Sequence, residues 1–316
     1  VLQVGNGGTV GTLGVGGSIS VGAVLRFNRS NTLEVTQNIS GVGQIDQTGS
    51  GTTILSGSNI YSGATNINAG TLQIGNGATT GALGTGTVTI ASGANLTFNR
   101  SDSLTVSNTI SGAGSFRQSG SGTTILTGSN SYTGTTTISA GVLQIGNGGT
   151  TGTLGSGNVS LLNGSSLNYL RAASTIIGNL ISGTGNVAAT ITGSANDLTV
   201  SGAMNLTSGT INLASDRDLN LQANLATTNA TSSAIVLNAG KPSAAGTSTG
   251  GDIKLTGSPT VTVGAGGRAT LYTGSVSGSN GVTSLIGSGS GNFRYNSDES
   301  ATNYTLALGA GNYAVY

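Results

Sequence analysis

Apolar residues along the chain fall on alternate positions of short runs: Val88 and Ile90, Leu96 and Phe98, Leu104 and Val106, Leu143 and Ile145. A spacing of two puts every second side chain on one face of an extended strand, and no run keeps an apolar stripe at helical spacing. Gly, Asn and Ser clusters separate the runs and supply the positive-φ and side-chain-bonded turns that tight corners require. The pattern therefore predicts an all-β chain of short strands.

Those strands recur in a fixed order. "VLQIGNGGTTGTLG" at Val142 nearly restates "TLQIGNGATTGALG" at Thr71, which echoes "VLQVGNGGTVGTLG" at Val1. "LRFNRSNTLEV" from Leu25 matches "LTFNRSDSLTV" from Leu96, and "GSGTTILSGSNIYSGATNINAG" from Gly49 matches "GSGTTILTGSNSYTGTTTISAG" from Gly120, both at the same offset. A decayed third copy, with Leu167, Tyr169 and Arg171 in step, carries the unit to about Val187. A unit of about 71 residues divides into about three coils of roughly 23 residues, within the size range of solenoid repeats.

The expected fold is a right-handed parallel β-helix. Val, Ile, Leu and Phe face inward as a dry column, while Thr, Ser and Asn cover the outside. One member of each of the pairs Ile54/Leu55 and Ile125/Leu126 faces in. A β-sandwich shares the short strands but not the fixed period; a propeller of large blades is the other alternative.

Residues 1–187 thus form three copies of the repeat. Residues 188–316 continue the helix, with shorter coils, as the spacing of Leu198/Val200, Met204/Leu206, Ile211/Leu213 and Leu219/Leu221 indicates. Polar excursions at Ala226–Ala234 and Ala239–Gly251, the second holding Lys241 and Pro242, are expected to leave one face as loops, and the C-terminal segment to cap the last coil.

Composition narrows the function. The 316 residues include 57 Gly, no Cys and no His, and the net charge is +1. Without a basic run there is no footprint for nucleic acid, and no stretch approaches the ~18 apolar residues of a spanning helix, so no membrane insertion of this segment is expected. Disulfide and thiolate chemistry are absent. Val1 enters in mid-repeat, which suggests a piece of something longer.

The run "GSGTTILTGSNSYTGTTTISAGVLQIGN" resembles the autotransporter-associated β-strand repeat of large secreted bacterial passengers, over Val1 to about Val187. The remainder is more distantly similar to filamentous-haemagglutinin-like adhesins. The resemblance implies a β-helical stalk on the outer surface of a Gram-negative cell or released from it, acting in adhesion or biofilm matrix.

Candidate chemistry is sparse. Of nine carboxylates, Asp216 and Asp218 are spaced to share a face and are the one pair to test for glycoside hydrolysis; with Arg217 between them they read as a solvated corner. Asp46 stands where the next copy has Arg117, and Glu34 where it has Thr105, so both read as surface residues. No metal site, cofactor or enzymatic activity is expected. Arg29, Arg100 and Arg171 would align along the axis if three coils separate them, as a basic stripe for an acidic polysaccharide or as corner residues bonded to carbonyls. Tyr61 and Tyr132 would stack on sugars or lie beneath the next coil. "NFRYNSDES" gathers Phe293, Arg294, Tyr295, Asp298 and Glu299, as an end cap or an interaction patch. Val1, Leu2 and Val4 form an apolar strand edge able to template assembly. The leading reading is a non-enzymatic extracellular stalk whose partners are itself, end to end, or a surface or matrix polysaccharide. A filament subunit is the alternative, and a carbohydrate-active enzyme the third.

Overall fold

The computed structural model describes every residue except Val15, Asn163, Ser248 and Thr249. The chain is a parallel β-helix. Its strands are two to six residues long, every paired strand among the described residues runs parallel to its neighbour, and Val282–Ile286 is the one helix among them. It divides into two compact units, residues 1–147 with 151–160 and residues 148–150 with 161–316.

In the first unit Leu25 lies on Leu2, Ile45 on Leu25, Thr65 on Ile45, Val88 on Thr65 and Ile110 on Val88. Each coil on this face thus takes roughly 20–23 residues, an ordinary length for a solenoid repeat. A second face stacks Leu33, Thr53, Leu72, Leu96, Phe116 and Thr136. Its steps are similar, at roughly 19–24 residues. Corresponding strands of successive copies do not share a face. Val24–Phe27 belongs to the first sheet and its counterpart Asn95–Phe98 to the second; Leu33–Val35 belongs to the second and its counterpart Ser103–Val106 to a third. With three faces to a coil, the repeat unit advances three coils and about one third more.

The inward columns are apolar but not wholly so. Leu25, Phe27, Ile45, Ile67, Leu72, Ile74, Leu96 and Phe98 are fully buried, and so are Leu55 and Leu126, which settles the inward member of each Ile-Leu pair. Aromatic rings stack up the axis, Phe98 on Phe116 at 5.4 Å and Phe116 on Tyr132 at 5.7 Å. Among them sit the buried Gln47, Thr53 and Thr65, and at the same depth in the next copy Gln118, Thr124 and Thr136. These polar groups are paired, as burial requires. Thr53 Oγ1 donates to Gln47 Oε1 at 2.7 Å and Gln47 Nε2 to the Gly49 carbonyl at 2.8 Å; Thr124, Gln118 and Gly120 repeat the arrangement. The expected dry column is therefore braced by a hydrogen-bonded corner in each of the first two copies.

The second unit keeps the three-faced plan. One sheet runs through Ser166–Arg171, Asn186–Ile191, Ile211–Ser215, Ile235–Ala239 and Arg268–Tyr272; the others run through Thr175–Ile177 to Ile253–Leu255 and through Ile181–Gly183 to Val261–Thr262. Its coils are not shorter than those of the repeats. Leu167 pairs with Val187, and Val187 with Ile211, so these steps match those of the first unit; the steps from Leu219 to Ile253 and from Ile235 to Ala269 are about half as long again. The extra length lies in the stretch of sequence after Ala239, which both longer steps span. The final strand, Gly311–Val315, lies between Arg268–Tyr272 and Phe293–Arg294, so a segment earlier in sequence covers the last one.

Candidate functional site

The arginines singled out by sequence are corner braces. Arg29 donates to the carbonyls of Gly11 and Thr9 and to Asn31 Oδ1, and Arg100 donates to the carbonyls of Gly81 and Thr79 and pairs with Asp102 at 2.7 Å. Arg171 reaches the Thr150 carbonyl at 2.9 Å. The guanidinium bond holds the Asp102 carboxyl below its ordinary range. Because Arg29 and Arg100 follow strands of different sheets, they do not line up, and the axial stripe expected of a three-coil repeat is absent from the described residues of the first unit.

Tyr61 and Tyr132 are fully buried. Each hydroxyl shares a 2.8 Å hydrogen bond with a threonine, Thr65 and Thr136 respectively, and burial pushes both phenols up. Neither ring is open to a sugar. Each is roofed by a glycine: a Cβ on Gly84 would stand 2.5 Å from a ring carbon of Tyr61, and one on Gly155 the same distance from Tyr132. This explains the Leu-Gly that ends the recurring motif.

The carboxylates serve as braces rather than as a converging pair. Asp216 accepts the Gly193 N–H at 2.7 Å, whereas Asp218 accepts the Asp252 N–H at 2.9 Å and binds the Lys254 ammonium. Burial favours the neutral acid at Asp218, but the N–H and the ammonium outweigh it and hold the carboxyl below its ordinary range. Asp197 pairs with Arg217. Asp46 is not the exposed residue its exchange with Arg117 suggests: only 4% exposed, it pairs with Arg26 at 3.2 Å and accepts from Gln44 and Asn66. Its neighbours on adjacent coils cover it. Glu34 does lie at the surface, where it accepts from Ser56 and Asn76. Among the described residues no three acidic side chains cluster as a metal site would require.

"NFRYNSDES" is divided between support and surface. Arg294, 6% exposed, donates to the carbonyls of Leu306 and Gly291 and lies 5.4 Å from the ring centres of both Tyr304 and Tyr313. Phe293 pairs in register with Ala314, and Tyr295, largely exposed, stacks on Tyr316 at 5.5 Å. Asp298 accepts from the N–H groups of Ser300, Ala301 and Ala245, tying this segment to the excursion after Gly240; those bonds hold its carboxyl below the ordinary range. Glu299 makes no side-chain hydrogen bond among the described residues and faces a trough on the sheet beside it. At the other end of the chain Val1 and Leu2 are exposed and Val4 is buried, on a strand paired with Val24–Phe27.

The trough was not legible in the sequence. Its floor comes from Ala188 and Ala214, its polar groups from Asn212 and Asn238, and its rim from Lys241, Tyr272 and Glu299. These residues lie on separate coils and share no local motif; the excursion around Lys241 was the sole sequence signal.

A chain of parallel coils with a repeated internal brace and no converging catalytic groups among its described residues defines a β-helical scaffold. Comparison with known proteins then places part of it. A family model described as passenger-associated-transport-repeat matches residues 45–74 and 116–145. Over 112 residues the chain is 46% identical to the Adhesin BmaC autotransporter of Brucella suis biovar 1 (strain 1330), an alignment that takes in 30% of this chain and 3% of that protein. The chain thus matches only a small part of that relative's length. No solved structure matches it. Residues 45–74 and 116–145 are autotransporter-passenger repeats, and both contain the Gln-Thr and Tyr-Thr pairs described above.

Proposed function

We propose that this chain is part of the exported passenger of a bacterial surface adhesin, where it acts without catalysis as a β-helical stalk that also presents binding surface. The observation that carries the reading is the match of the two braced segments to passenger repeats, together with the adhesin that shares 46% of residues over the aligned stretch. The non-enzymatic part is supported by the carboxylates. Asp46, Asp102, Asp197 and Asp218 are each paired with a cation, and Asp216 and Asp298 are bonded to backbone N–H groups, so they hold corners together. The same passenger likeness supports a position on the outer surface of a Gram-negative cell.

The test uses intact cells of the source strain. Antibodies raised against the full chain should label unpermeabilised cells, and their Fab fragments should lower attachment to host cells or matrix. Labelling that needs permeabilisation, or attachment indifferent to the Fab fragments, would overturn the reading.

A further inference from the structure

On the second unit, the outward residues of four adjacent strands form two rows. Ala188, Asn212, Val236 and Thr270 are paired in register in one, and Thr190, Ala214, Asn238 and Tyr272 in the other. At ~4.8 Å per strand each row is ~14 Å long. The alanines leave the middle of this surface low, and the rim rises at Lys241 and Glu299, giving a trough of about 260 Å³.

Three independent features mark it as a site that awaits a polar ligand. Asn238 is only 7% exposed, yet its side-chain amide has no hydrogen-bond partner among the described residues. Buried amides elsewhere are served: Asn59, Asn108, Asn130, Gln47 and Gln118 all donate to carbonyls. The Asn238 amide is not sealed in the protein but opens to the trough, where water or a ligand meets it. Second, Glu299 is the one side-chain carboxylate among the described residues without a hydrogen-bond or ion-pair partner there, and the Lys241 ammonium is likewise unpaired among them; both face this trough. Third, the half-buried ring of Tyr272 forms one wall, the one aromatic plate on a surface whose other strand positions are Asn, Thr, Ala and Val236.

We propose that the trough binds neutral carbohydrate. The Tyr272 ring offers a flat apolar face to the C–H side of a sugar. Asn212 and Asn238 supply paired donor and acceptor groups that match vicinal hydroxyls, and Lys241 and Glu299 add a donor and an acceptor whose charges offset each other. A polyanion gains nothing from such a rim. A peptide strand has no edge to join, because Ile211–Ser215 and Ile235–Ala239 are paired on both sides. The proposal deepens the adhesive reading and rests on it, but the antibody labelling described above tests location and attachment without reference to this trough.

The full chain is titrated calorimetrically with maltohexaose, cellohexaose, chitotetraose, mannose- and galactose-terminated glycans and polygalacturonate, and a displayed decapeptide library is selected against it in parallel. At least one neutral glycan should bind, with an affinity that does not change with salt, since no ion pair is formed. Ala214→Phe, which fills the trough from an outward position, should abolish binding, and Tyr272→Ala should weaken it roughly tenfold or more. If Ala214→Phe fails to fold, as judged by far-ultraviolet circular dichroism, Tyr272→Ala and Lys241→Met decide. The proposal is overturned if no neutral glycan binds at millimolar concentration, if binding survives these substitutions, if only polygalacturonate binds and salt removes it, or if selected peptides occupy the trough instead.

Discussion

Gln47 and Thr53 are polar residues inside an apolar column, and their value lies in what happens when one is removed. Thr53→Val leaves the Gln47 carbonyl oxygen buried without its donor, which costs about 1–3 kcal/mol; the unfolding midpoint should fall, and amide exchange around 47–55 should rise. Asp218 is the corresponding case for a charge. Its folded carboxyl titrates below its unfolded value of ~3.9, so it adds stability that is complete above that pH and is lost as pH falls through the folded value. Asp218→Asn should therefore be less stable than the native chain at pH 6. The gap should close as pH falls below ~4, measured by denaturant unfolding at each pH; a gap independent of pH would mean that the Lys254 pair contributes nothing. None of this shows in the sequence. Alternation puts Gln47 on the face of Ile45 and Thr53 on the face of Leu55 but names no partner for either, and Asp46 looks exposed because its cover comes from other coils.

At the scale of the strand, the reading from sequence is nearly complete, since an inward Leu or Phe at every second position has no other good use. What alternation leaves open is which of two adjacent apolar residues turns in, and the structure places Leu126 inside and Ile125 at the half-exposed surface. Leu126→Ala should cost ~2–5 kcal/mol, and Ile125→Ala much less. Because each coil touches only its neighbours, the loss should appear as faster exchange in the strands stacked on it, Ser103–Val106 and Val142–Ile145, and not in Leu198–Val200. A uniform rise over the chain would argue for a single cooperative core. The turns are equally specific: in Gly84→Ala the added methyl would stand 2.1 Å from the Tyr61 carbonyl oxygen. That contact cannot be relieved without lifting the coil, so the variant should lose ~1–3 kcal/mol or more, read as a lower melting temperature.

At the scale of the molecule, the sequence states the repeat but not its phase. A length of about 71 residues divided by a coil of ~23 rounds to three, whereas the register pairs of the first unit set steps that vary from coil to coil and leave about a third of a coil over. The consequence is that copies equivalent in sequence face different ways, so a ligand that needs several copies of one patch in a row finds none along a single face. What the two matched passenger repeats share is the internal brace, Gln47 with Thr53 and Gln118 with Thr124. The phase can be measured directly with paired spin labels. Glu34 and Arg117 are outward residues of one sheet, linked in register through Ile54, Gln73 and Thr97. Four strand steps separate them, ~19 Å. Glu34 and its repeat counterpart Thr105 lie on different sheets. Labels attached through the substitutions Glu34→Cys and Thr105→Cys should therefore stand farther apart than labels attached through Glu34→Cys and Arg117→Cys, although the first pair is closer in sequence. A three-coil repeat demands the reverse, with the 34/105 pair only ~14 Å apart, so the order of the two distances decides whether the copies turn about the axis or align along it.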